Sequence, residues 1–206
     1  MTNTGILDIA QQIGAIRRDV ADDGDLVRVQ MDRRYPSPTD DVWEALTDPD
    51  RIRRWMMPIS GDLRVGGSFQ LEGNAGGEIL HCERPHVLRV TFGDPSSLVE
   101  VRLAEDGSAT VLTLEHTVPK AMAGGVAGAL YVGPGWDGAL LGLGLYLDGH
   151  VTEDPVAAAS SPEAQEFSAQ SVAAWVGVLE AGGADAETIA GAKEAAMAQF
   201  APDLVG

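Results

Sequence analysis

The sequence predicts an α+β domain in which an antiparallel sheet is covered on one side by helices. Two observations carry this. Short runs of alternating apolar and polar residues, joined by Gly, Pro and Asp turns, follow one another from Leu26 to Thr117. Helical patterning is confined to the start, to a pair of short helices before Pro58, and to the stretch after Pro119. One late helix is apolar nearly all round, so it must be buried on two sides. A sheet curved around such a helix leaves a wedge-shaped space between them.

The elements follow in order. Ile6, Ile9, Ile13, Ile16 and Val20 recur at three- and four-residue spacing, which predicts a helix over residues 1–20. "ADDGD" (21–25) is a break. "LVRVQMDRRY" (26–35) sets Val27, Val29 and Met31 against Leu26, Arg28 and Gln30, the pattern of a strand. Two helix starts follow: Ser37 as a cap before Pro38, then Asp48 before Pro49. Val42, Trp43, Leu46, Ile52, Trp55 and Met56 make their apolar surface.

The segments "SFQLEG", "GGEILHCE", "HVLRVTF", "SLVEVRLAE" and "ATVLTLEHT" then read as strands of a meander, with "EDGS" (105–108) as a tight hairpin. After "GHVTEDPVAAASSP", read as a connector, Ser161-Pro162 starts a helix that Gly182-Gly183 ends. Asp185 caps a last one, with Ile189, Ala192, Ala196 and Phe200 inward.

The stretch "GPGWDG" (133–138) matches G-x-G-x-x-G and precedes an apolar helix expected from about Trp136 to Asp148. A dinucleotide site needs that turn inside a βαβ unit, with an acidic residue at the end of a second strand. The following segment contains Pro155 and no strand, and Pro134 removes a backbone donor, so the match is set aside. The pattern instead places Trp136, Leu140, Leu143 and Leu147 in one stripe facing the sheet. Gly138 and Gly142 form the expected approach face for the C-terminal helices, with a subunit interface, hence a homodimer, as the alternative cover.

The formal charge is −17, and it is uneven: from Leu103 onward two lysines stand against fourteen carboxylates. Such a field repels phosphate backbones, which argues against nucleic-acid binding. Cys82 is alone, so no internal disulfide or cysteine metal cage is available. No uninterrupted apolar run reaches the roughly 20 residues that span a bilayer, and no secretory leader pattern opens the chain. A soluble cytoplasmic protein is expected.

The four histidines, His81, His86, His116 and His150, show no metal-ligand spacing. His116 continues the inward face of Leu112 and Leu114, and His81 shares a face with Ile79. Each reads either as a satisfied core residue or as a polar group at the mouth of a pocket. No buried carboxylate, nucleophile elbow or phosphate loop can be read from the sequence, so no catalytic residue and no cofactor is assigned.

"YPSPTDDVWEALTDPDRIRRWMMP", "GDLRVGGSFQLEGNAGGEILHCERPHVLRVTF", "ATVLTLEHT" and "GPGWDGALLGLGLYL" together resemble the SRPBCC (START-like) superfamily, in its Aha-type branch. That branch takes its name from the C-terminal domain of the heat-shock ATPase activator. The resemblance covers about residues 26–150. It implies a helix-grip (START/Bet v-like) fold over that range, flanked by the helix at 1–20 and by a helical extension at 160–202 packed on the domain. It also implies a cavity that often holds a hydrophobic small molecule or lipid. The chain departs from the pattern at His81, where relatives often carry glutamate, and at Arg84, where many carry a second turn proline. The family has no shared catalytic set to carry over.

Three functional readings follow. The first is a non-catalytic binder of an apolar small molecule, with Trp55, Met56, Phe69, Leu71, Leu112, Leu114, Trp136, Leu140 and Leu143 as walls and His81 and His116 as polar contacts. The second is a cyclase- or hydrolase-type enzyme using a pocket histidine. The third is a chaperone-linked interaction module with the acidic C-terminal half as its docking face.

Overall fold

The computed structural model describes residues 8–150 and 152–205. Eight antiparallel strands form one sheet: β1 (Ile16–Asp23), β2 (Leu26–Tyr35), β3 (Ile59–Gly61), β4 (Ser68–Leu71), β5 (Gly76–Glu83), β6 (Val87–Phe92), β7 (Asp94–Asp106) and β8 (Ala109–Pro119). Their order is β1-β2-β8-β7-β6-β5-β4-β3. All neighbours except β2 and β8 are also consecutive in the chain, as hairpin connections require. Between β2 and β3 lie α2 (Thr39–Thr47) and α3 (Pro49–Ile52).

The helix that the sheet grips is α5 (Ala129–Leu147), preceded by the short α4 (Lys120–Ala123). A single turn, α6 (Pro155–Ala158), then leads to α7 (Pro162–Ala181) and α8 (Ala186–Phe200). α5 lies between the sheet and the α7–α8 pair, and one continuous core joins all three layers, from Val29 and Leu114 through Leu140 and Leu143 to Trp175 and Ala192. The caps read from the sequence form: the Ser161 hydroxyl accepts from the Ala164 amide at 3.2 Å and Asp185 from the Thr188 amide at 2.8 Å.

Around β1 and α5 the structure departs from the sequence reading at three places. The N-terminal helix is only α1 (Ile9–Gly14), capped by Asp8, and residues 16–23 are strand β1, paired with β2 from Ile16↔Arg33 to Asp23↔Leu26. A spacing of four satisfies a strand's period of two as well as a helix turn, so Ile16 and Val20 fit either. The part of the expected helix before Asp8 lies outside the described residues.

Second, "GPG" does not precede α5 but lies within it, with Pro134 inside the helix. Pro134 deprives the Leu130 carbonyl of its helical partner. Packing holds the helix through this point: a Cβ on Gly133 would stand 2.5 Å from the Trp175 ring, and one on Gly135 3.3 Å from Phe200. Third, these two glycines admit α7 and α8, whereas Gly138 has open space and Gly142 lies against the Trp55 carbonyl, where a Cβ would stand at 3.2 Å.

Candidate functional site

Three groups of side chains surround α5. The first lies on the sheet side. His116 on β8, paired with Val29 and Val99, is 4% exposed. Trp136 donates its indole N–H to His116 Nδ1 at 3.0 Å, and Ser97 Oγ lies 2.8 Å from Nε2. An indole nitrogen only donates, so Nδ1 is the acceptor and Nε2 carries the imidazole proton, which it donates to Ser97. Phe92 packs edge-on against His116 with ring centroids 6.0 Å apart. Burial lowers the His116 pKa to about 4, so the ring is neutral at pH 7. In this tautomer His116 cannot accept the Ser97 proton. The pair therefore lacks the hydrogen bond that would activate a serine nucleophile.

The second group is a groove of about 440 Å³ beside the C-terminal end of α5, lined by Arg53, Arg54, Met56, Met57 and Pro58 on one side and by Thr152 to Val156 on the other. The loop carrying the methionines is fixed by Trp55, whose indole donates to the Ala45 carbonyl at 3.0 Å, and by its close approach to Gly142. Its volume lies within the roughly 300–1,000 Å³ typical of small-molecule sites.

The third group lies between β1, β2, α5 and α7. Asp137 is fully buried, and one of its oxygens accepts from Arg18 Nε at 2.8 Å, Ser171 Oγ at 2.5 Å and Trp175 Nε1 at 3.0 Å. Burial raises the Asp137 pKa above the ordinary carboxylate range, opposed by Arg18, Ser171 and Trp175. Arg18 also donates from Nη1 to the Ile13 and Ile16 carbonyls. Two residues along β2 from Met31, the strand partner of Arg18, sits Arg33, 7% exposed, in the inner row Val27, Val29, Met31, Arg33, Tyr35.

The sequence-predicted residues distribute as follows. Phe69, Leu71, Leu112, Leu114, Leu140 and Leu143 are buried members of one packed core, and Trp136 and Trp55 pack half-buried against it. Two concavities among the described residues, one on the outer face of β6–β8 and the methionine groove, both open on the surface. Of the predicted walls only Met56 lines one of them. His116 is inward as expected. His81 is not: its side chain is 55% exposed, 3.7 Å from Glu83. The reason is a β-bulge. Ile79 pairs with Val90 but His81 with Arg89, so one extra residue on β5 turns His81 to the outer face.

Arg33 and Arg18 were missed as site residues. Alternation from Val29 and Met31 already places Arg33 inward; Arg18 was hidden by the helical reading of its segment. Among the described residues no three His, Cys, Asp or Glu side chains are placed to hold a metal, and no helix is long and apolar enough to cross a membrane.

The model of the family described as "Activator of Hsp90 ATPase homolog 1-like protein" matches residues 36–148. This chain belongs to that family. Among solved structures, the crystal structure of CalU16 from Micromonospora echinospora is 40% identical, with a TM-score of 0.63 over 80% of this chain and 96% of that one. Its solution structure gives 38% identity and a TM-score of 0.65, covering 82% and 94%. DynU16, from the dynemicin biosynthetic locus, is 30% identical with a TM-score of 0.52, over 62% of this chain and 48% of that one. No curated protein matches. The Activator of Hsp90 ATPase homolog 1-like segment runs from just after β2 to the end of α5, so β1 with Arg18, and α7 with Ser171 and Trp175, lie outside it.

Proposed function

We propose that this chain is a non-catalytic binding protein for an apolar small molecule, taken up at the methionine-lined groove beside the C-terminal end of α5. The groove carries the reading: Met56, Met57, Pro58 and Val156 offer apolar, adaptable surface in a concavity of suitable volume. Val156 is 54% exposed, an apolar side chain left uncovered at its rim. The inner walls Phe69, Leu71, Leu112, Leu114, Leu140 and Leu143 fill their own space, which moves the ligand from an internal cavity to this groove. His116 has both ring nitrogens engaged, which favours binding over histidine catalysis.

Two measurements test it. Native mass spectrometry of the purified chain, before and after denaturation, should reveal a co-purifying small mass. Nile red, a neutral apolar dye, should gain fluorescence with the wild type and lose most of that gain with the double change Met56→Asp and Met57→Asp. Equal dye binding by the folded double variant would refute the groove. The chaperone-linked reading keeps one observation in its favour, the acidic C-terminal half; retention of a basic partner at low salt, lost at high salt, would support it.

A further inference from the structure

Arg33 is a buried cation whose guanidinium is only partly engaged. Its guanidinium lies in the inner row of the sheet, between Ile16 on β1 and Leu112 on β8, 5.3 Å from the centroid of the Tyr35 ring. It presses on α5 at Gly144, where a Cβ would stand 2.8 Å from Nη2. Nη2 donates to the Gln12 carboxamide oxygen at 2.5 Å. Nε and Nη1 are buried and have no hydrogen-bond partner. No carboxylate pairs with Arg33 among the described residues, and residues 1–7 contain no Asp or Glu.

The nearby groups do not supply the missing charge. Asp137 is already engaged by Arg18, Ser171 and Trp175. Tyr35 is fully buried, which pushes its hydroxyl pKa upward, and it donates to the Leu140 carbonyl at 2.9 Å, so it stays neutral. A buried cation with idle donors is costly unless an anion completes it. Among the described residues the one acceptor in place is a neutral amide on α1, a six-residue helix with no buried residue. Two adjacent guanidinium nitrogens match a carboxylate's two oxygens, which one amide oxygen cannot do.

We propose that Arg33 is a binding site for the carboxylate of a small organic acid with an apolar body. The acid enters beside α1, which packs on β1 and α7, displaces the Gln12 amide from Nη2, and engages two guanidinium nitrogens together. Ile16, Leu112 and the Tyr35 ring offer its apolar surroundings. The site is separate from the methionine groove and does not depend on it.

Thermal unfolding of the full chain in sodium chloride, acetate or octanoate at equal ionic strength tests this, with octanol as the neutral match. Octanoate should raise Tm by several degrees over chloride and octanol, and acetate by less. Arg33→Met should abolish the octanoate shift while matching or exceeding the ligand-free Tm of the wild type. Gln12→Met removes the competing amide and should tighten octanoate binding. Arg33→Lys keeps the charge but loses the planar fork, and should bind octanoate about tenfold more weakly. The proposal is overturned if octanoate stabilises no more than chloride or octanol, or if a folded Arg33→Met retains the shift. Should that variant not fold, an unchanged octanoate response in Gln12→Met overturns it. Nile red binding in the groove is read separately, so either site can fail without the other.

Discussion

Trp136 and Asp137 are neighbours on α5, yet they anchor two opposite kinds of polar cluster. Trp136 points to the sheet and meets His116, which in turn bonds Ser97; all three are neutral, with both imidazole nitrogens engaged. Asp137 points to β1 and α7 and meets Arg18, Ser171 and Trp175. There charge is buried, and Asp137 Oδ1, Arg18 Nη2 and two Arg33 nitrogens have no partner. A neutral, completed cluster fixes the fold and has no capacity left over. A charged, incomplete one is tolerated only where packing holds it, and its idle groups are where a ligand gains most.

The comparison can be broken hardest at Asp137. Asp137→Ala leaves Arg18 buried without its counter-ion and should cost about 3–5 kcal/mol in chemical denaturation. The neutral cluster answers to pH instead. Between pH 6.5 and about 4 the unfolded His116 takes a proton that the folded one refuses. Stability therefore falls as pH drops through that window and is restored above it, by up to about 3 kcal/mol. His116→Gln, which does not titrate, should remove this acid-linked loss in denaturation curves at pH 7 and 4; an undiminished loss would assign it to other groups.

Gly133→Ala drives a methyl group into the Trp175 ring, which carries one of the Asp137 hydrogen bonds. About 1–3 kcal/mol of destabilisation is expected in thermal or urea unfolding. The smallest effect should come from Trp136→Phe, which leaves His116 Nδ1 without its donor: about 1–2 kcal/mol. If Trp136→Phe costs more than Asp137→Ala, leaving a buried charge unpaired is not the costlier loss, and the contrast between the two clusters fails.

Much of the neutral cluster was legible in the sequence. Alternation through Leu112 and Leu114 put His116 inward, and the stripe through Leu140 and Leu143 put Trp136 against the sheet. The charged cluster was not legible, because its members come from β1, β2, α5 and α7, and nothing local links Arg18 to Asp137 across the chain. Reading residues 16–20 as helix also hid the strand that carries Arg18. His81 was misplaced for another reason: a single extra residue on β5 inverts everything beyond it, and no side-chain pattern marks that backbone event. The groove joins Met56 and Met57 to Thr152–Val156, two segments far apart in the chain.

The sequence by itself determined the antiparallel meander, the hairpin at Gly107, the caps at Ser161 and Asp185, and the apolar helix that must be buried on two sides. These follow from local chemistry: period, turn residues and side chains that bond their own backbone. Only the tertiary structure decided that residues 16–23 form a strand, that Pro134 lies within α5, and that Gly133 and Gly135 rather than Gly138 and Gly142 receive the C-terminal helices. Each local signal there fits more than one conformation. The choice fell to edge pairing with β2 and to the rings of Trp175 and Phe200, contacts supplied by residues far away in the chain.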